Sequence, residues 1–313
     1  MFIDLIGGFS VFVFLALDLC RQTKDKKKTF KMWDRRKVLL AAIIFTALYY
    51  SVPAGSSKVL DMAPDAVDDL YSNCREEAMK KFIESGLLKQ ELKHSSSFEK
   101  AWNESTRCSK LIPGGRQEHT TALLAYDNVD REFIVTLNNE VETVGANVST
   151  YENDFHFKSL HFLLMDYMML QKPNNCKTVY IVPEEDNFNV QKGSKVRLGR
   201  FSKAEADFAK LKYFNDLDGL FVLNITSCFF AKLGDNICKN DEKNILLSPA
   251  EVFTVETVKE INTDDSSYTE IVLKHSDLKS FHNCYIFSRS PADVSTQWLV
   301  LMLVALSLLH ANN

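Results

Sequence analysis

Cysteines, N-glycosylation triplets and a few charged clusters are the residues of this 313-residue chain whose types and spacing could do chemistry. Beyond Cys20, six cysteines remain: Cys74, Cys108, Cys176, Cys228, Cys238 and Cys284. An even number in an exported domain predicts disulfides. No CxxC pair occurs, and His156 and His161, five apart, would not share a helix face, so no metal site is expected. Gly193 and Gly199 make no phosphate loop, because the spacing is wrong and no Lys-Ser/Thr pair follows. Glu184-Glu185-Asp186 offers oxygens to a cation but reads better as a solvated loop. Asn103, Asn147 and Asn224 each open an N-x-Ser/Thr triplet. With a net charge of -4, nothing points to nucleic acid as a partner.

The ends of the chain set the compartment. Val38 to Tyr50 is apolar, follows Arg35-Arg36-Lys37 and ends at the small residues around Val52-Pro53-Ala54. Positive flank, apolar run and small-residue cleavage site together predict a secretory signal, with Met32 as a natural start. Thirteen apolar residues are short of the ~20 that a spanning helix needs. Phe2 to Leu19, interrupted by Asp4 and Asp18, is also apolar, and Lys24 to Lys28 beside it reads as a topology signal. Trp298 to Leu309 is a third apolar run, preceded by small polar residues from Ser288 to Ser295. That layout predicts a GPI-anchor signal whose tail is removed; a short helix folded onto the domain is the alternative. The chain thus divides into an extension with signal peptide (1–54), an ectodomain (55–287) and an anchor signal (288–313), on the extracellular face of the plasma membrane.

Between the ends, apolar residues from Ala66 to Leu87 recur three and four apart and predict a helix. Further helices are expected at Phe98 to Asn103 and His119 to Tyr126. Phe155 to Leu170 is apolar almost all round, as in a helix buried in the core. After Pro173 short β-rich runs follow: 177–182, 195–201, 220–230, 245–247, 251–258, 268–273 and 283–287. Helices first and strands second make an α+β fold, a helical half packed on a strand-rich half.

Val59 to Tyr71, closing on Cys74, is similar to the opening of the vertebrate ecto-ADP-ribosyltransferases, and Phe155 to Leu164 resembles that family's buried helix. Val196-Arg197-Leu198-Gly199-Arg200-Phe201 is similar to the strand before its serine motif. Asn244 to Pro249, with Glu251-Val252-Phe253, resembles the stretch after its catalytic glutamate. The resemblance implies two facing β-sheets around a cleft for NAD, and transfer of ADP-ribose to arginines of extracellular proteins. It also implies bridges Cys74–Cys284 and Cys176–Cys228, leaving Cys108 and Cys238 for a third.

Three family motifs carry that chemistry, and each is altered. An arginine that clamps the dinucleotide phosphates with paired donors should follow the strand tyrosine; here Ile181 follows Tyr180. The Phe-x-Ser-x-Ser motif reads Phe201-Ser202-Lys203-Ala204-Glu205. Ser202 would substitute only if the strand slipped by one residue, which would turn every later side chain to the other face. The Glu-x-Glu motif reads Glu242-Lys243-Asn244. Glu242 keeps the position that receives the arginine acceptor. Asn244 replaces the carboxylate that stabilises the developing cation, a loss worth ~3–4 kcal/mol in the barrier. The residues therefore predict a family member whose activity is weak or lost, or a binding protein that retains the fold.

Overall fold

The computed structural model describes residues 58–287 except 185–187, 236–237, 239 and 264–265; the side chains of 58–59, 235 and 240–243 are also outside the description. The signal-peptide and anchor segments lie outside the described residues. Among the described residues no helix is long and apolar enough to cross a membrane.

Among the described residues, eight helices come mostly before the strands. They are α1 (Arg75–Ala78, continued as a π turn Met79–Glu84), α2 (Leu87–His94), α3 (Ser96–Ser105), α4 (Gln117–Asn128), α5 (Arg131–Thr143), α6 (Val148–Asp154), α7 (Lys158–Leu170) and α8 (Phe208–Phe214). Local capping fixes several starts. Ser95 accepts from Phe98 N at 3.3 Å, Asp130 from Phe133 N at 2.8 Å and Asp207 from Ala209 N at 3.0 Å. α7 is buried from Ser159 to Met168, which explains its apolar circumference.

The helix expected from Ala66 starts only at Arg75. Residues 66–74 form a buried loop with left-handed backbone at Tyr71 and Asn73. The helical spacing there is coincidental, and tertiary bonds hold the segment instead: Val67 N donates to Val141 O at 2.7 Å, and Asp69 Oδ1 accepts from Cys284 N at 2.9 Å. Gly86, at φ 88°, ends the first helix before Leu87. Helices α2, α5, α6 and α8 are not among the expected ones, although for α5 Asp130 followed by Phe133, Leu137 and Val141 is a legible cap and stripe.

The strands are β1 (Lys58–Val59), β2 (Lys177–Ile181), β3 (Phe188–Asn189), β4 (Lys195–Arg197), β5 (Ser202–Glu205), β6 (Phe221–Ser227), β7 (Phe230–Asp235), β8 (Asn240–Leu247), β9 (Glu251–Asn262) and β10 (Ser267–Leu278). β1 pairs with β3; the others form one sheet in the order β4-β9-β10-β6-β2-β5-β8-β7. Its two leaves meet through a single ladder pair, Tyr180 with Glu205. One hydrophobic cluster draws Val196, Phe253, Ile271 and Val179 from one leaf and Ala204, Phe230, Ile245 and Leu247 from the other, so the leaves share a core. A larger cluster packs α7 and its neighbours on the back of the second leaf, through Phe201, Ala231, Leu233 and Leu246.

Three strand expectations need correction. The run 220–230 ends as β6 at Ser227, and β7 starts at Phe230. The run 195–201 breaks at Gly199, φ 69°, and resumes at Ser202. The segment 283–287 is no strand: a 3-10 turn spans Tyr285–Phe287, set by the Cys74–Cys284 bridge and by Cys284 N donating to Asp69 Oδ1 at 2.9 Å. The second implied bridge, Cys176–Cys228, is present, and Cys108–Cys238 is the third.

Candidate active site

The leaf junction positions the motif residues. Tyr180 on β2 lies opposite Glu205 on β5, and Glu205 opposite Asn244 on β8, so these three stand in a row across neighbouring strands on one face. Lys203 shares that face two residues along β5, opposite Leu246. Its Nζ donates to Asp127 O at 2.9 Å, lies 3.1 Å from Asp127 Oδ1 and sits 5.4 Å from the centre of the Tyr126 ring. A lysine held by an ion pair, a carbonyl and an aromatic face has its charge turned toward α4. Glu205 is likewise occupied, 2.5 Å from Lys210 Nζ on α8. Asn244 is half-buried; Glu242 belongs to β8, with its side chain outside the description.

Ile181 and Ser202 lie on the other face. Ile181 pairs with Leu223 and packs against the shared core, next to a cavity of only about 20 Å³. Leu60, Phe188, Leu198 and Ser202 also line it. Arg200 reaches the same cavity and is bound to Glu142 at 3.3 Å. The structure thus brings Lys203 and Asn244 together on one face and sets Ile181 apart from them. Ile181 itself offers this cavity no donor for dinucleotide phosphates.

Glu251 stands apart from this row. It is fully buried and accepts from Ser227 Oγ (2.5 Å), Cys228 N (2.7 Å) and Phe229 N (3.2 Å), with His275 Nδ1 at 2.7 Å. Burial raises its pKa against those bonds. Nothing in the sequence signals the contact with His275, because the two residues lie on different strands, 24 positions apart.

This architecture is that of the mono-ADP-ribosyltransferases. The crystal structure of the eukaryotic mono-ADP-ribosyltransferase ART2.2 is similar at a TM-score of 0.57 and 24% identity, covering 72% of this chain and 98% of that one. A mutant of the same protein in complex with NAD is similar at a TM-score of 0.55 and 23% identity, over the same shares. In sequence, human ecto-ADP-ribosyltransferase 5 is 30% identical over 210 residues, 63% of this chain and 70% of that protein. Mouse T-cell ecto-ADP-ribosyltransferase 1 is 30% identical over 251 residues, 76% of this chain and 82% of that protein. The family model for NAD:arginine ADP-ribosyltransferases matches residues 60–280, and the chain belongs to that family.

Proposed function

We propose that this chain is a cell-surface member of the family that has lost most or all transfer of ADP-ribose from NAD and acts by binding extracellular proteins. One observation carries the proposal. The serine position holds Lys203, drawn away to Asp127, while Ile181 and Asn244 bring no charge where the family's chemistry needs a cation and an anion. Without the clamp the dinucleotide loses its paired phosphate donors; without the carboxylate the oxocarbenium-like transition state loses its counter-charge.

The purified ectodomain, given labelled NAD and agmatine as guanidino acceptor, should transfer at least about a hundredfold more slowly than an intact relative. Robust arginine modification would sink the proposal. A direct NAD-binding measurement on the same sample separates an idle cleft from an empty one; weak or absent binding is the expected result.

The surface location rests on the terminal signals together with the exposure of two asparagines of the glycosylation triplets. Asn147 is exposed as the cap of α6, and Asn103 is exposed on α3. Phosphatidylinositol-specific phospholipase should release the protein from intact cells, with a mature chain running from near Gly55 to a lipid-bearing residue between Ser288 and Ser295. Retention on the membrane together with detection of the Leu309 to Asn313 tail would refute the anchor.

A further inference from the structure

At the end of β2 remote from Ile181, a cavity of about 420 Å³ opens beside the Cys176–Cys228 bridge. Ser72, Lys172, Cys228, His275 and Asp277 are among its lining residues. The bridge joins the start of β2 to the end of β6, next to the ladder pair Lys177 with Ser227. Its two cysteines differ in environment: Cys176 is an exposed residue, whereas Cys228 is half-buried and lines the cavity. Cys228 Sγ, a carboxylate oxygen of Glu251 and a ring nitrogen of His275 all lie within 4.8 Å of one another. Glu251 is fully buried, and a proton is held between it and His275 Nδ1 at 2.7 Å. His275 itself reaches the cavity, with 29% of its side chain exposed. The Cys74–Cys284 bridge has a different setting, with Cys74 buried and Asp69 alongside.

Thiol–disulfide exchange depends on access to the sulfur attacked and on how well the other sulfur leaves. Here the more exposed cysteine and the one whose sulfur is supported as a leaving group are the two ends of one bridge. We propose that Cys176–Cys228 is a thiol-exchange site, at which a small carboxylate-bearing thiol of the glutathione class attacks Cys176 and expels Cys228. The incoming thiol loses its proton to solvent, and its thiolate bonds to Cys176 Sγ as the bond between the two cysteines breaks. The electron pair moves to Cys228 Sγ, which takes the proton held between Glu251 and His275. Solvent in the cavity returns that proton. One mixed disulfide and one thiol result, with no net oxidation. Lys172, an exposed cation lining the cavity with no ion-pair partner among the described residues, matches the carboxylates of such a thiol. Asp277 opposes it, with one oxygen accepting from Leu278 N at 2.8 Å.

The test is exposure of the full chain to reduced glutathione at neutral pH, alkylation at timed intervals and non-reducing peptide mapping. Glutathione should appear first on Cys176, with Cys228 alkylated, before either other bridge opens. Glutathione appearing first on Cys228, Cys108 or Cys238, or all three bridges opening together, overturns the proposal. His275→Ala should slow the opening by at least about fivefold; an unchanged rate in a variant that melts like the unmodified protein also overturns it. If that variant does not fold, the order of opening in the unmodified protein still decides. Lys172→Ala, at an exposed position, should slow glutathione but not the cationic thiol cysteamine, and an equal effect on both removes Lys172 from the site. None of these readouts depends on whether NAD is turned over.

Discussion

Single residues set what this molecule can do at its leaf junction. Asn244→Glu alone should recover little transfer, because the dinucleotide still lacks its clamp and Lys203, held by Asp127, still stands where the orienting serine belongs. Ile181→Arg, Lys203→Ser and Asn244→Glu together should restore measurable transfer to agmatine; failure in a folded triple variant would show that the cleft has diverged further. Buried carboxylates set a second residue-scale property. Burial lifts Glu91 to about 8 and Asp69 to about 7, in spite of the bonds each accepts. A carboxyl whose folded pKa lies above its unfolded one keeps its proton longer in the fold, so stability falls as pH rises between the two values. His161, pushed down to about 4 by burial, acts with the opposite sign, but only below its ordinary value of 6.5. Above pH ~6.5 the carboxyls dominate, and raising the pH to ~8 should cost ~2 kcal/mol, or about 4–8 °C in melting temperature. Glu91→Gln, which keeps an acceptor for Ser159 N, should flatten most of this slope in thermal melts; an unaltered slope would refute the assignment.

At the scale of elements, the loop 66–74 depends on close approach of the backbone that follows α5. Gly145 N donates to Asp65 O at 2.7 Å, and a Cβ on Gly145 would stand 2.3 Å from Ala66 O. Backbone cannot yield as a side chain does, so Gly145→Ala should destabilise by ~2–3 kcal/mol and lower the melting temperature by roughly 5–10 °C. An unshifted melt would mean that the loop tolerates displacement. Central strands also restrict modification. Asn224 lies in β6, half-buried between β2 and β10, with Nδ2 donating to Glu270 Oε1 at 2.9 Å. Glycans are therefore expected on Asn103 and Asn147 but not on Asn224, and glycosidase digestion followed by peptide mapping should count two sites.

For the whole molecule, the longest bridge is the strongest tie. Cys74–Cys284 closes a separation of 210 residues and pins the 3-10 turn to the start of α1. In the chain-entropy model a loop of that length contributes ~4–5 kcal/mol. Replacing both cysteines with alanine should lower the melting temperature by more than 10 °C, on the order of 2–4 °C per kcal/mol for a domain of this size. A smaller effect would place the stabilisation in the packed core instead. Near this bridge Arg197 and Asp68 form a fully buried ion pair, where His282, Arg197 and Phe281 N hold Asp68 at about 2 despite the opposing effect of burial. Removing either partner alone would leave an uncompensated buried charge.

The sequence by itself determined the α+β order, the buried helix α7, most of the strands and the identity of the altered motif residues, because periodicity and residue type are local properties. Ile181, Lys203 and Asn244 could be named from their neighbours alone. Only the tertiary structure decided that Lys203 turns to Asp127 and that Ile181 lies on the opposite face from Asn244, since both follow from strand register. It also decided that residues 66–74 are a loop despite their helical spacing, because buried Asp68 and Asp69 bond to chain more than 200 residues away. The meeting of Glu251, His275 and Cys228 is of the same kind, for contacts between strands distant in sequence leave no periodic trace in any one of them.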